Sequence, residues 1–221
     1  MIRFDGLPPE VMQAMCTPMH LIIPTSPPNP SRPATGALYL GSLSATMEKS
    51  VLHEHNITHL VQVLDVPWLP ISEKDGFECY RIDILDVPSA DLRAHLEGAC
   101  RAIDMALRGG NNILVHCQQV SWRHPTYHIP RFWPPCRFKQ GVSRSSAIVI
   151  AYLIKYHGMS YDSAYAFVKN KRPCIKPNSG FVEALRSWEG QWRPPVIRRN
   201  TTWFTSRTEY LPGMRRWKGV V

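Results

Sequence analysis

The chain has 221 residues, 44% of them hydrophobic and 19% charged, which suits one globular domain with appended segments and excludes wholesale disorder. No apolar run approaches the roughly 20 residues of a membrane-spanning helix, and the opening MIRFDGLPPEVMQ does not read as a secretory signal. The formal charge of +9 is unevenly spread: residues 120–140 carry Arg123, Arg131, Arg137 and Lys139 and no acid, residues 191–221 carry seven Lys or Arg against Glu209, and the remainder is nearly neutral. Neither basic segment has a basic helical face or a known nucleic-acid motif, so solvated polypeptide without a nucleic-acid partner is the expectation. The six cysteines show no paired spacing, which points to reduced thiols in the cytoplasm or nucleus.

In chain order, residues 1–36 form a Pro-rich, flexible lead-in, with Pro24, Pro27, Pro28, Pro30 and Pro33 close together. Order is expected to start at Ala37-Leu38-Tyr39-Leu40, a short strand ended by Gly41. Ser44 suits a helix N-cap, with Met47, Val51 and Leu52 on one face. Residues 58–64 (THLVQVL) are β-branched and apolar between Asn56 and Pro67, and 79–84 alternate, so both read as strands. Asp91 can cap a helix in which Leu92, Leu96, Ala99, Ile103 and Leu107 recur at three- and four-residue steps, until Gly109-Gly110 stops it. Asn112 to His116 reads as a buried strand. Ser145 to His157 reads as a helix ended by Gly158, Ser160 starts another, and Asn178 or Ser179 caps a last one containing Phe181, Leu185 and Trp188. Alternating strands and helices followed by a run of helices predict an α/β fold, a mostly parallel central sheet flanked by helices.

The chemistry lies in two pieces. ILVHCQQ ends at Gln119 and GVSRSSAIVI begins at Gly141; closed up they read V-H-C-Q-Q-G-V-S-R-S-S, a Cys, five residues and an Arg on a strand-to-helix turn. On such a turn the successive backbone N–H groups of Gln118, Gln119, Gly141, Val142 and Ser143 converge as an anion-binding nest, backed by the N-terminus of the following helix. The nest and Arg144 favour the thiolate of Cys117, which makes it a nucleophile at neutral pH. Arg144 can grip two oxygens of a phosphoryl group, and Ser145 can donate a hydrogen bond to the sulfur when it leaves.

With these residues the chain resembles the dual-specificity phosphatases, within the cysteine-based protein tyrosine phosphatase family. The resemblance covers about 37–190 and is carried by LYLGSLSAT, the HC…GVSRSSAIVIAYLI block and GMSYDSAYAFVKNKRPCIKPNSGF, in that order. It implies hydrolysis of phosphotyrosine and phosphoserine or phosphothreonine on a phosphorylated protein substrate, through a cysteinyl-phosphate and without a metal or other cofactor. It also implies an Asp general acid on a loop before the long helix. Asp86, in ILDVPSADL, matches that position; Asp91 reads as a helix cap, and Asp83 lies on the preceding strand.

Residues 120–140, VSWRHPTYHIPRFWPPCRFKQ, interrupt the loop. His124, His128 and Cys136 lack a fourth ligand for zinc, and the prolines deny them a shared helical face. Looping out such a segment costs only a few kcal/mol of closure entropy, so its location matters more than its length. Restoring the nest requires residues 119 and 141 to sit as if bonded, which argues against normal activity in this form. Val120-Ser121 can be encoded from GT and Gln140 can end in AG, so a retained intron explains the interruption. A phosphoprotein-binding pseudophosphatase or an inert splice product are the alternatives to an enzyme. Residues 191–221 read as a basic, disordered tail.

Overall fold

The computed structural model describes residues 8–10, 13, 17–28, 33–65, 71–119, 139–140 and 142–192. Residues 120–138 of the insertion, with its candidate zinc ligands, and the tail beyond 192 lie outside these residues, as does Gly141.

Strands β1 (Met19–Ile23), β2 (Leu38–Ser42), β3 (Ile57–Leu64), β4 (Glu78–Asp83) and β5 (Asn112–Gln119) lie in the order β1-β2-β5-β3-β4. All neighbours in this path are parallel except β1 and β2, which are antiparallel, and a short β6 (Lys139–Gln140) pairs with the end of β5. The mostly parallel α/β sheet expected from the element pattern is therefore present.

Side chains alternate across the sheet, as strand geometry requires. Val61, Val63, Ile113, Val115 and Cys117 face the larger core cluster. Leu60 and Leu114 face the smaller one, with Ala45, Leu52, Ile71 and Phe77. The larger core holds helices α3 (Arg93–Arg108), α4 (Arg144–His157), α5 (Tyr161–Lys171) and α6 (Ser179–Trp192). In α3 the predicted stripe Leu96, Ala99, Ile103 and Leu107 is buried, and Asp91 Oδ1 accepts from Arg93 N at 3.0 Å. In α4 every residue from Arg144 to Ile154 is buried, so this helix is the centre of the helical layer and not an amphipathic surface element. It stops where Gly158 adopts φ 63°, a left-handed conformation that glycine takes without Cβ strain. Ser160 Oγ accepts from Ser163 N at 3.1 Å to start α5, and Asn178 Oδ1 accepts from Phe181 N at 3.0 Å to start α6. Among the described residues no helix is long and apolar enough to cross a membrane.

Two expectations need correction. Order does not begin at Ala37, because β1 lies within the lead-in and joins the sheet, with Ile22 at 1% exposure. The prolines around it dominated the sequence pattern, but the run Leu21-Ile22-Ile23 is long enough for an edge strand, where no ladder bonds are needed on the outer side. Nor do Met47, Val51 and Leu52 share a helical face. Glu48 (φ −116°, ψ 91°) breaks the segment into α1 (Ser44–Met47) and α2 (Lys49–Glu54); Leu52 is buried, while Met47 is 65% exposed. Leu43, not Ser44, occupies the N-cap, and Ser44 Oγ instead bonds Ser42 Oγ at 2.6 Å.

Candidate active site

The carboxyl ends of parallel strands converge on one edge of the sheet, the usual site of chemistry in open α/β folds. Cys117 lies near the end of β5, in register with Ser42 of β2 and Val63 of β3. Its exposure is 2%, and its Sγ accepts a hydrogen bond from Ser145 Oγ at 3.1 Å. Ser145 comes from the first turn of α4, so the helix N-terminus that the sequence predicts behind the nucleophile is in place. Burial pushes Cys100 up to about 12 and Cys79 up to about 11, and it raises Cys174 as well, so none of them supplies a thiolate at neutral pH.

Arg144 opens α4 and is fully buried. Its Nη1 donates to Asp65 Oδ1 at 2.7 Å and to the Ile84 carbonyl at 2.9 Å. Its Nε and Nη2 are buried without a partner among the described residues. A guanidinium presents its donors as a planar fork, so these two nitrogens form an edge that suits a pair of oxyanion oxygens.

Asp86, the predicted acid, is brought to the same place. Its Oδ1 accepts from Ser143 Oγ at 2.7 Å and from Asn178 Nδ2 at 2.9 Å. Ser143 Oγ in turn accepts from Asn178 N at 3.1 Å. Val142 offers its carbonyl to Lys176 N at 2.7 Å and to Ser146 Oγ at 2.8 Å, so the segment before α6 buttresses the loop from outside. Asn178 thus caps α6 and also ties the acid to the loop; the sequence pattern revealed only the first role.

His116 precedes the nucleophile on the opposite face of β5. It is fully buried, desolvation holds it at about 3, and neither ring nitrogen has a partner among the described residues. It is therefore neutral at physiological pH. Two further polar residues escaped the sequence reading. Asp65 follows β3 directly. Arg172, fully buried, donates from Nη1 to the Thr17 carbonyl at 3.1 Å and to His20 Nδ1 at 2.6 Å, which fastens the amino-terminal strand to the end of α5. Burial and the Arg172 charge hold His20 down to about 4, so its ring stays an acceptor.

The model of the dual specificity phosphatase catalytic domain matches residues 136–191, a stretch that contains Arg144, Ser145 and Asn178. Dual specificity phosphatase 28 from Mus musculus is 32% identical over 162 residues, covering 73% of this chain and 85% of that protein. The chain belongs to the dual specificity phosphatase family. Dual specificity protein phosphatase MPK-4 from Drosophila melanogaster is 37% identical over 151 residues, 67% of this chain; the chain spans only 33% of that relative's length. The crystal structure of human tyrosine phosphatase-like serine/threonine/tyrosine-interacting protein superimposes with a TM-score of 0.58 at 30% identity, covering 70% of this chain and 92% of that one.

As a dual specificity phosphatase loop, the segment after Cys117 departs from expectation. Gln118 and Gln119 do not turn into a nest but continue β5, with Gln118 opposite Gln140 and Gln119 opposite Lys139. In an antiparallel ladder one of two adjacent pairs exchanges both N–H···O bonds, so at least one of these glutamine amides is committed to β6 and not to an anion. Among the described residues the neck of the insertion closes with Gln118 opposite Gln140. Directly opposed residues lie about 4.5–5.5 Å apart, against about 3.8 Å for bonded neighbours. Counted across this stem, Gln118, Gln140, Gly141, Val142 and Ser143 still separate Cys117 from Arg144.

Proposed function

We propose that this chain acts on phosphorylated proteins, hydrolysing phosphotyrosine and phosphoserine or phosphothreonine through a cysteinyl-phosphate. The Cys117 thiolate attacks phosphorus and forms the S–P bond as the ester P–O bond breaks. Asp86 gives its proton to the departing phenolate or alkoxide oxygen. The Nε–Nη2 edge of Arg144 holds two of the equatorial oxygens while charge spreads over them. In the second step Asp86 takes a proton from water, the water oxygen bonds to phosphorus, and the S–P bond breaks. Ser145 Oγ then donates to the sulfur that regains its negative charge. A nucleophilic thiol must remain reduced, so a cytoplasmic or nuclear setting belongs to the same reading.

One observation carries the proposal: Ser145 Oγ donates to Cys117 Sγ at 3.1 Å, next to the buried Arg144, whose Nε and Nη2 have no partner among the described residues. The link from Ser143 to Asp86 supports the acid assignment, because it couples the acid to the loop at 2.7 Å. A second reading, a phosphoprotein-binding module without turnover, draws support from the pairing of Gln118 and Gln119 with β6, which takes backbone amides from the nest.

The test is p-nitrophenyl phosphate turnover by three purified proteins: the full chain, the chain lacking 120–140, and that deletion carrying Cys117→Ser. Turnover in the deletion, lost with Cys117→Ser and much slower in the full chain, supports an enzyme whose insertion-bearing form is impaired. Equal rates in the full chain and the deletion mean that the hairpin stem preserves the loop. If both fold and neither turns over, the binding module becomes the better reading; if the full chain does not fold, it is an inert splice product.

A further inference from the structure

Asp65 stands one residue beyond β3, at the carboxyl edge of the sheet. Its partner Arg144 comes from α4, and the two meet through Nη1 and Oδ1 at 2.7 Å. The arginine side chain has no solvent exposure and the aspartate has 15%, so water contributes little to holding the guanidinium. The same Nη1 also donates to the Ile84 carbonyl at 2.9 Å. One end of the fork is thus held at two points, while Nε and Nη2 have no partner among the described residues.

A planar guanidinium held at Nη1 has little freedom to rotate about its long axis, and this fixes where the opposite edge points. With Ile84 alone, Nη1 is held at a single point and the fork can swivel. We propose that Asp65 is a positioning residue: by fastening Nη1 it turns the Nε–Nη2 edge of Arg144 toward an oxyanion bound beside Cys117. The inference rests on the reading of the Cys117–Arg144 loop as an oxyanion site. It also specifies how the site attracts its ligand. Asp65 and Arg144 together carry no net charge, so the arginine acts through directed N–H bonds more than through bulk positive potential.

A merely structural ion pair makes a different prediction. Breaking it lowers the melting temperature without changing the affinity of an anion for the chain that remains folded. Direction and charge also separate, because Asp65→Asn keeps an acceptor oxygen and removes the charge. Asp65→Glu keeps the charge and moves the acceptor by one methylene.

The experiment is calorimetric titration of the full chain with sodium tungstate, a tetrahedral oxyanion, with a thermal melt of each variant at the same pH. Asp65→Asn is expected to bind within about threefold of the parent chain or more tightly, whereas Asp65→Ala and Asp65→Glu lose about tenfold or more, the usual penalty for a misaimed group. Arg144→Lys, which lacks the fork, is expected to lose binding altogether. If Asp65→Ala does not fold, the comparison of Asp65→Glu with Asp65→Asn decides alone. Folded Asp65→Ala or Asp65→Glu that binds tungstate like the parent overturns the positioning role and leaves the oxyanion site standing. Absence of tungstate binding by the parent chain overturns the oxyanion site and the positioning role with it.

Discussion

Replacing Gly180 by alanine separates two views of the loop that carries Asp86. Gly180 is the second residue of α6, and its Cα lies against the backbone of Pro88. A methyl group there meets the Pro88 carbonyl oxygen and lies 2.7 Å from the carbonyl carbon and 2.8 Å from the Cα. Carbon atoms in good contact sit about 3.5–4.0 Å apart, so the two backbones must separate by about 1 Å. All three atoms are main chain, so no side chain can rotate away. The neighbouring contacts resist the movement. Asp86 is tied to Ser143 and Asn178, and Asn178 caps α6 through Phe181 N. Parting Pro88 from Gly180 therefore pulls Asp86 away from the loop or Asn178 away from its helix. Such overpacking costs about 1–3 kcal/mol. At about 2–4 °C per kcal/mol for a domain of this size, the melting temperature should fall by about 2–12 °C. Helix propensity acts in the opposite direction, since alanine is favoured over glycine by up to about 1 kcal/mol in a helix interior. Gly180 stands in the first turn and not in the interior, so this offset is smaller than the overpacking cost and a fall is the expected sign. In the form lacking 120–140, turnover of phenyl phosphate should fall about tenfold further than that of p-nitrophenyl phosphate, whose better leaving group depends less on an acid. An unchanged or higher melting temperature, together with an unchanged ratio of the two substrates, would refute the packing of the acid loop on α6.

Two further perturbations bear on the nucleophile. Ser145→Ala removes the donor to Cys117 Sγ. A hydrogen bond to a charged group is worth about 1.5–3 kcal/mol, so steady-state turnover should drop about ten- to hundredfold, with a rapid burst of one product per enzyme as the cysteinyl-phosphate accumulates; the assignment fails if rapid mixing shows neither the slowing nor the burst. His116 contributes to acid sensitivity, alongside His20, which is held at about 4. The folded value of His116, about 3, lies below the ordinary 6.5, so between those values the unfolded chain binds the extra proton. The stability from keeping it neutral is fully present above about pH 6.5 and is lost as the pH falls toward about 3, with a limiting slope of about 1.4 kcal/mol per pH unit. Denaturant melts at about pH 7 and about pH 5 should show this loss in the parent chain and a shallower one in His116→Leu, whereas equal slopes would mean that another group dominates.

Much of the molecule was legible because it rests on local patterns. Apolar steps of three and four residues located α3, and Leu96, Ala99, Ile103 and Leu107 are indeed its buried stripe. Ser160 and Asn178 marked helix starts, and Gly158 marked an end, each through chemistry contained within a single turn. The spacing of Cys117 and Arg144, closed over the interruption, carried the family together with LYLGSLSAT before it and GMSYDSAYAFVKNKRPCIKPNSGF after it. What the sequence did not reveal depends on which strand ends meet. Several aspartates stand near the site in the chain, but only the sheet order β5-β3-β4 puts Asp65 against Arg144 and Asp86 against Ser143 and Asn178. Those partners are separated by 57 to 92 residues, far beyond the reach of any periodicity. The amino-terminal strand was masked for the same reason. Its order comes from pairing with β2 and from Arg172 reaching Thr17 and His20, and not from any local preference of a Pro-rich stretch. At the loop itself, local order made Gln118 and Gln119 members of a nest, whereas the register with Lys139 and Gln140 makes them a strand. Backbone amides serve whichever acceptor the tertiary register brings opposite them, and only the folded chain determines that register.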